Sequence, residues 1–372
     1  MAEPRTPSAN LPPTSAVRRP RARDLGLVVD AGEPGRHNAL TDVPGVAVGH
    51  TTLAAPPDVH TGVTAVVPSG IGPAPAGRLP AGLFTGNGYG KLVGATQIAE
   101  LGQLESPVVL TSTLSAFRAA DAVVGWMLAQ PTHREVESFN PVVGECNDGW
   151  LSDIRARPVR EEHVLAAIEQ ASTGPVAEGC VGAGTGTCAL GFKAGMGTAS
   201  RRVRFGAGRT ATLGALLQAN FGGTLRVGGT EVEPPGPGPA DDGSCMIVVA
   251  TDAPLDARQL ERVARRAVFG LARAGASYGH GSGDYALAFS TRRAAAHTAP
   301  AGPAAAGVPL PDTDLDPLFR AALATVEEAA LNALCAATTT TGRWGRTARA
   351  VPYSRLRDLA RGAVRGPAPP GR

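Results

Sequence analysis

Ser244 stands where two unlike stretches meet. In "PPGPGPADDGSCMIVVATDAPL", residues 234–255, a proline-glycine run suited to a mobile surface segment leads through Gly243 into "SCMIVVAT". That second run reads as a buried β-strand. If the bond between Gly243 and Ser244 breaks, Ser244 gains a free α-amine beside its own hydroxyl. An α-amine titrates near ~7.7–8.0, so it can take the hydroxyl proton, and one residue then supplies both nucleophile and base. The serine could cut the bond itself by attacking the Gly243 carbonyl, giving an ester that water hydrolyses. Glycine leaves that carbonyl open to approach. An ordinary loop-to-strand junction has the same local sequence, and the junction taken alone favours that plainer reading.

Other candidate chemistry is weaker. "GHGSGDY", 279–285, holds His280, Ser282 and Asp284. On a strand these alternate residues share one face, so adjacency makes no triad, and no G-x-S-x-G elbow occurs. A polar lining beside another nucleophile suits them better. "GAGTGT", 182–187, superficially resembles a dinucleotide fingerprint. More glycine follows where a helix should open, and the acidic residue expected ~20 positions on is missing. A close-packed turn is the better reading. The seven histidines are scattered without ligand spacing, so no metal and no cofactor is expected.

The elements that must position these residues follow from composition and periodicity. The chain has 372 residues, 43% of them hydrophobic, with 48 Gly, 32 Pro and a net charge of +3. That is enough for a large core with many sharp turns, and it carries no nucleic-acid footprint. Five cysteines without a C-x-x-C pair suit a reducing compartment. No secretory h-region and no long apolar run appear, so a cytoplasmic protein with no membrane partner is expected. Residues 1–22 and the arginine-containing tail from about 362 read as disordered. Strands are expected at 45–50, 62–70, 106–113, 209–223, 244–251 and 284–291. Helical spacing covers 89–104, 114–130, 160–171, 256–274 and 316–336. Phe117, Ala120, Val124 and Met127 form the expected buried stripe of the second of these. Leu260, Val263, Ala267, Val268 and Leu271 form that of the fourth. Grouped rather than alternating elements point to stacked sheets with outer helices.

Several separated segments resemble the L-aminopeptidase/D-esterase family of self-processing N-terminal serine hydrolases, which includes β-peptidyl aminopeptidases. They are "NALTDVPGVAVGHTTL", "PVVGECNDGWLSDI", "GAGTGT" with "GMGTASR", "LLQAN", "DDGSCMIVVATDAPL", "GSGDYALAFST" and "ALNALCAATTTTGR". They occur in order from about residue 24 to about residue 345. The resemblance implies an α/β chain of α+β type, folded as a four-layer αββα sandwich. It also implies self-cleavage into a larger chain, 23–243, and a smaller chain beginning at Ser244. The precursor would be cut into pieces of 243 and 129 residues.

By the same resemblance, Ser244 matches the nucleophile, and Ser282 and Asp284 match the pair that orients it and its amine. Asn220 matches an oxyanion-hole donor, and Glu145 matches the carboxylate that receives the substrate's amine. Some members place a tyrosine hydroxyl near the Glu145 segment. Here the nearest candidates are Cys146 and Trp150, which leaves the second oxyanion donor open, with a backbone amide one option. The expected activity is removal of N-terminal amino acids from short peptides, amides or esters by homo-oligomers of processed units. An acyltransferase of the ornithine-acetyltransferase type is the alternative enzyme, although such proteins and the related nylon-oligomer hydrolases use threonine. A non-catalytic glycine-rich binding protein with Gly243-Ser244 intact is the alternative from another class.

Overall fold

Nine strands of five or more residues carry the architecture among the described residues. They are β1 (Val46–Ala55), β2 (Val59–Pro68), β3 (Leu79–Gly88), β4 (Val108–Ser112), β5 (Val142–Cys146), β6 (Met196–Phe205), β7 (Arg209–Asn220), β8 (Ser244–Thr251) and β9 (Gly283–Ser290). The computed structural model describes the chain apart from residues 1–18, 28, 75–76, 207, 235, 237–242, 293–309 and 365–372. One sheet has the order β1-β2-β4-β5, with Leu92–Val93 at its edge. The other has the order β6-β7-β8-β9-β3, with Gln103–Leu104 at its edge. The β4–β5 and β8–β9 pairs are parallel.

Apolar residues of the facing strands, among them Leu110, Val142, Leu216, Met246, Val248 and Leu287, form the core between the sheets. Helices α2 (Ala116–Leu128) and α3 (Glu161–Glu169) cover the outer face of the first sheet. Helices α4 (Ala257–Ala274) and α5 (Asp316–Ala336) cover the second. Helix α1 (Ala95–Leu101) precedes these, and α6 (Tyr353–Val364) follows. The result is the expected four-layer αββα sandwich.

Local signals explain most boundaries. Strand β8 is buried at all eight positions, as a valine-rich strand covered on both faces should be. Helix α4 is capped by the Asp256 carboxylate, which accepts from the Gln259 amide at 2.7 Å, and it stops at Gly275 in the left-handed region. Its five expected core residues are all buried.

Other expectations are corrected. Helical spacing over 89–104 yields helix only at Ala95–Leu101, because Gly94 and Gly102 take φ of +82° and +64° and bracket it. Helix α2 buries Ala116, Ala119, Ala122, Val123 and Met127, while Phe117 is 67% exposed. Its alanine face has the same period as the larger-residue stripe. The smaller side chains let the helix lie close on Val63, Ala65, Val109 and Val143.

Strands β3, β5 and β6 lie outside the sequence expectations. In "MGTASRRVRF" the even pattern is broken by Arg201, which is buried as an ion pair with Glu328 at 2.6 Å. Order also begins inside the stretch expected to be disordered. Ala22 is fully buried, and its amide donates to Asn332 Oδ1 at 3.0 Å. Arg21 pairs with Glu178 at 2.7 Å, so the last residues of that stretch are anchored to the fold. Residues 1–18 lie outside the described residues. At the other end α6 continues to Val364, beyond the expected start of disorder near 362, and 365–372 lie outside the description.

Candidate active site

Strand β7 ends at Asn220, β8 begins at Ser244 and β9 begins at Gly283. The ladder sets these three side by side, with Asn220 opposite Ser244 and Ser244 level with Gly283. Directly opposed residues of an antiparallel pair share a face. Alternation along β8 puts Ser244 with Met246 and Val248, facing the other sheet. The Cys188 amide donates to Asn220 Oδ1 at 3.1 Å, which fixes the orientation of the side-chain amide. The sequence therefore brings the candidate nucleophile and the candidate oxyanion donor together through register alone.

Gly243 is buried at the strand mouth. A Cβ there would lie 2.3 Å from the Asn220 carbonyl oxygen and 2.6 Å from Phe221 Cα, so only glycine fits. The Gly283 amide donates to the Gly243 carbonyl at 3.1 Å and to Ser244 Oγ at 3.3 Å. One N–H thus holds both the hydroxyl and the carbonyl that self-cleavage would join. The Pro/Gly segment read as mobile falls mainly on 235 and 237–242, outside the described residues.

Ser282 and Asp284 flank Gly283 but face away from the Ser244 side chain. Asp284 is level with Cys245, whose neighbours are on the helix side of the sheet. The Ser282 hydroxyl and the Asp284 carboxyl are both buried and have no protein partner beyond each other. Burial pushes the Asp284 carboxyl up to about 6, partly offset by the nearby Ser282 hydroxyl. His280 sits in the turn before β9, its ring 6.2 Å from that of Tyr89.

Glu145 reaches the site from the opposite sheet, on β5. It is buried, and its Oε1 accepts from the Lys91 amide at 2.9 Å. The Thr113 hydroxyl donates to its Oε2. Gly90 lies between Glu145 and Gly283: a Cβ on Gly90 would be 3.4 Å from Glu145 Oε1 and 3.2 Å from Gly283 Cα. The Tyr285 hydroxyl donates to the carbonyls of Gly88 and Gly90, both at 3.1 Å, and pins this turn. Cys146 points its thiol at the Ser244 carbonyl, 3.2 Å away, while Trp150 packs beside Leu151, Cys188 and Ala348.

Sequence reasoning missed Asn87, Lys91, Thr113 and the Gly283 amide. Asn87 Nδ2 donates to the Gly279 and Ser282 carbonyls at 2.8 and 2.5 Å and shapes the turn carrying Ser282. Its only signal was the polar break in "TGNGYG".

The glycine loop 182–187 is a buried turn, as expected. The fully buried Lys193 ammonium donates to the carbonyls of Gly184, Thr187 and Ala194 at 3.3, 3.0 and 2.7 Å. Among the described residues, no three His, Cys, Asp or Glu side chains converge as a metal site would require. No helix among them is long and apolar enough to cross a membrane.

Comparison with known proteins agrees with this architecture. Residues 38–348 match the model of peptidase family S58. The β-peptidyl aminopeptidase BapA of Sphingosinicella microcystinivorans is 40% identical over 376 residues, which is 93% of each chain. The L-aminopeptidase D-Ala-esterase/amidase of Ochrobactrum anthropi, described as a variant of the Ntn-hydrolase fold, is 38% identical. It superposes with a TM-score of 0.83 over 93% of this chain and 99% of its own. A Pyrococcus horikoshii protein is 41% identical, with a TM-score of 0.84 over 92% and 99% of the two chains. Family match, relatives and shared fold converge: the chain belongs to peptidase family S58 and is a serine aminopeptidase of the N-terminal-nucleophile type.

Proposed function

We propose that Ser244 is the nucleophile, released by cleavage of the Gly243–Ser244 bond, and that Glu145 receives the amine of a short peptide, amide or ester. The observation that carries this is the shared Gly283 amide, which holds Ser244 Oγ and the Gly243 carbonyl together. Attack of Oγ on that carbonyl breaks the C–N bond and leaves an ester. The peptide nitrogen takes the hydroxyl proton and becomes the α-amine of Ser244. Water then hydrolyses the ester and frees the Gly243 carboxylate.

In the processed enzyme the α-amine takes the hydroxyl proton and Oγ attacks the substrate carbonyl. Asn220 donates to the resulting oxyanion, a contribution worth about 2.7–4 kcal/mol in comparable sites. The leaving amine departs with the proton from the Ser244 ammonium, and water releases the N-terminal residue. In this reading Ser282 and the Asp284 carboxylate, buried with no partner beyond each other, hold that ammonium.

The relatives named β-peptidyl aminopeptidases make β-linked N-terminal residues a substrate class to test alongside α-linked ones. Cytoplasmic residence is part of the same reading, supported by five free thiols. So is assembly of processed units, for which the exposed Phe117 and Trp344 offer apolar surface.

The test is denaturing electrophoresis with an activity assay. Wild type should give two bands and hydrolyse amino-acid p-nitroanilides, and Ser244→Ala should give one inactive band. A wild type that stays whole yet hydrolyses these substrates would overturn the processing step.

A further inference from the structure

Glu145 shares its oxygen with a cation. The Lys91 ammonium lies 3.4 Å from Oε1, the same atom that accepts from the Lys91 amide. The Glu145 side chain is 2% exposed and that of Lys91 is 38% exposed, so the lysine forms the solvent-facing side of the pair. The turn that carries it passes beside Gly283, the strand-level partner of Ser244. A substrate that brings only an ammonium to Glu145 must place it near this second ammonium, and like charges repel. A substrate with a carboxylate next to its ammonium reverses that. Its ammonium meets Glu145, its carboxylate meets Lys91, and the four charges alternate in sign. An ammonium and a carboxylate on one carbon have the close spacing that such an ion pair matches.

We propose that the Glu145–Lys91 pair recognises the free α-ammonium and α-carboxylate of an aspartyl residue joined through its side-chain carboxyl group, so that this enzyme cleaves β-aspartyl peptides. The inference rests on the reading of Glu145 as the amine site. With the α-carboxylate held on Lys91, the scissile carbonyl must be that of the side chain. In a β-aspartyl group one methylene separates this carbonyl from the amine-bearing carbon, the spacing of a β-aminoacyl group. A γ-glutamyl group has one methylene more. The bond chemistry is that of the aminopeptidase: Oγ acylates, the amine leaves with the proton from the Ser244 ammonium, and water releases aspartate.

The test compares p-nitroanilides of β-aspartate, its α-carboxamide analogue, γ-glutamate and β-homoalanine on the processed enzyme. The β-aspartyl compound should exceed the carboxamide and γ-glutamyl compounds in kcat/KM by about tenfold or more, the least expected of a desolvated charge contact. Lys91→Met should shift the β-aspartyl to β-homoalanyl ratio by at least about tenfold toward β-homoalanine, whose ammonium no longer meets a competing cation. Wild type that cleaves β-homoalanyl but not β-aspartyl p-nitroanilide overturns the inference and leaves the aminopeptidase reading standing. So does a smaller ratio shift in the variant, or a γ-glutamyl preference. Hydrolysis of none of the four, nor of L-alanyl p-nitroanilide, counts against both.

Discussion

The Gly283 amide donates to the carbonyl of Gly243 at 3.1 Å, across the mouth of two parallel strands. A ladder contact of this kind is ordinary in a sheet. Its position is not, because the acceptor is the carbonyl preceding a candidate nucleophile and the same N–H also reaches that serine's hydroxyl. In the processing step proposed above, sheet register would supply the contact that a separate set of donors supplies in other hydrolases.

Gly243→Ala should block or strongly slow processing while Ser244 is untouched. The added Cβ would sit 2.3 Å from the Asn220 carbonyl oxygen, backbone that cannot swing aside. Gel bands followed over hours after expression check this. Wild-type cleavage by the alanine variant would count against the tight mouth as a requirement.

Asn220→Ala should lower kcat by about 10²–10³ with a smaller change in KM, as expected for a group that acts at the transition state. Processed enzyme must be isolated first, because the Cys188 amide also loses its acceptor. Steady-state kinetics on an L-alanyl or β-homoalanyl amide distinguishes this from a folding defect, which would lower active-site titre instead.

Glu145→Gln should still self-process, since the Gly243 carbonyl makes no use of it. It should raise KM for substrates with a free amine. Full activity on such substrates would place the amine contact elsewhere.

Asp284 gives a pH signature in the unprocessed chain. Its folded-state value of about 6 lies above the usual 3.8, so folding favours the neutral acid. The stability this contributes is full below about pH 4 and is lost as pH rises through about 6. On a Ser244→Ala background, Asp284→Asn should therefore gain on its parent between pH 4 and pH 7, by up to about 3 kcal/mol. Urea midpoints at the two pH values check it. A gap between the two proteins that stays constant would argue against the buried neutral carboxyl.

Arg201→Met should cost about 3 kcal/mol. Arg201 bridges Asp30 and Glu328 at 2.7 and 2.6 Å, and Glu328 would retain only Arg23 and Asn38. Equilibrium unfolding measures it, and a loss under about 1 kcal/mol would mean that the pair behaves as a surface one.

What could be read ahead of the structure was whatever depends on neighbours in the chain. The start of β8 at Ser244, the stripe of α4 and the buried glycine turn all have local causes. Residues defined by partners far along the chain were hidden. Arg201 breaks a strand pattern that only Glu328, 127 positions later, makes sensible. The α2 face was ambiguous because two stripes share one period, and the sheet beneath chose the smaller. Ser244 entered from its loop-to-strand junction and Asn220 as a match to a family pattern, whereas their adjacency is a matter of register. Lys91 carried no signal, since a lysine after "NGYG" looks like any surface lysine until Glu145 arrives from the other sheet.

The Lys193 contacts change the meaning of the glycine loop it anchors. A turn that cradles phosphate turns its N–H dipoles inward to meet an anion. Here the inward-facing groups are oxygens, and the guest they enclose is a covalently tethered cation. The loop is the electrostatic mirror of a nucleotide cradle, closed by a counter-charge that folding itself delivers.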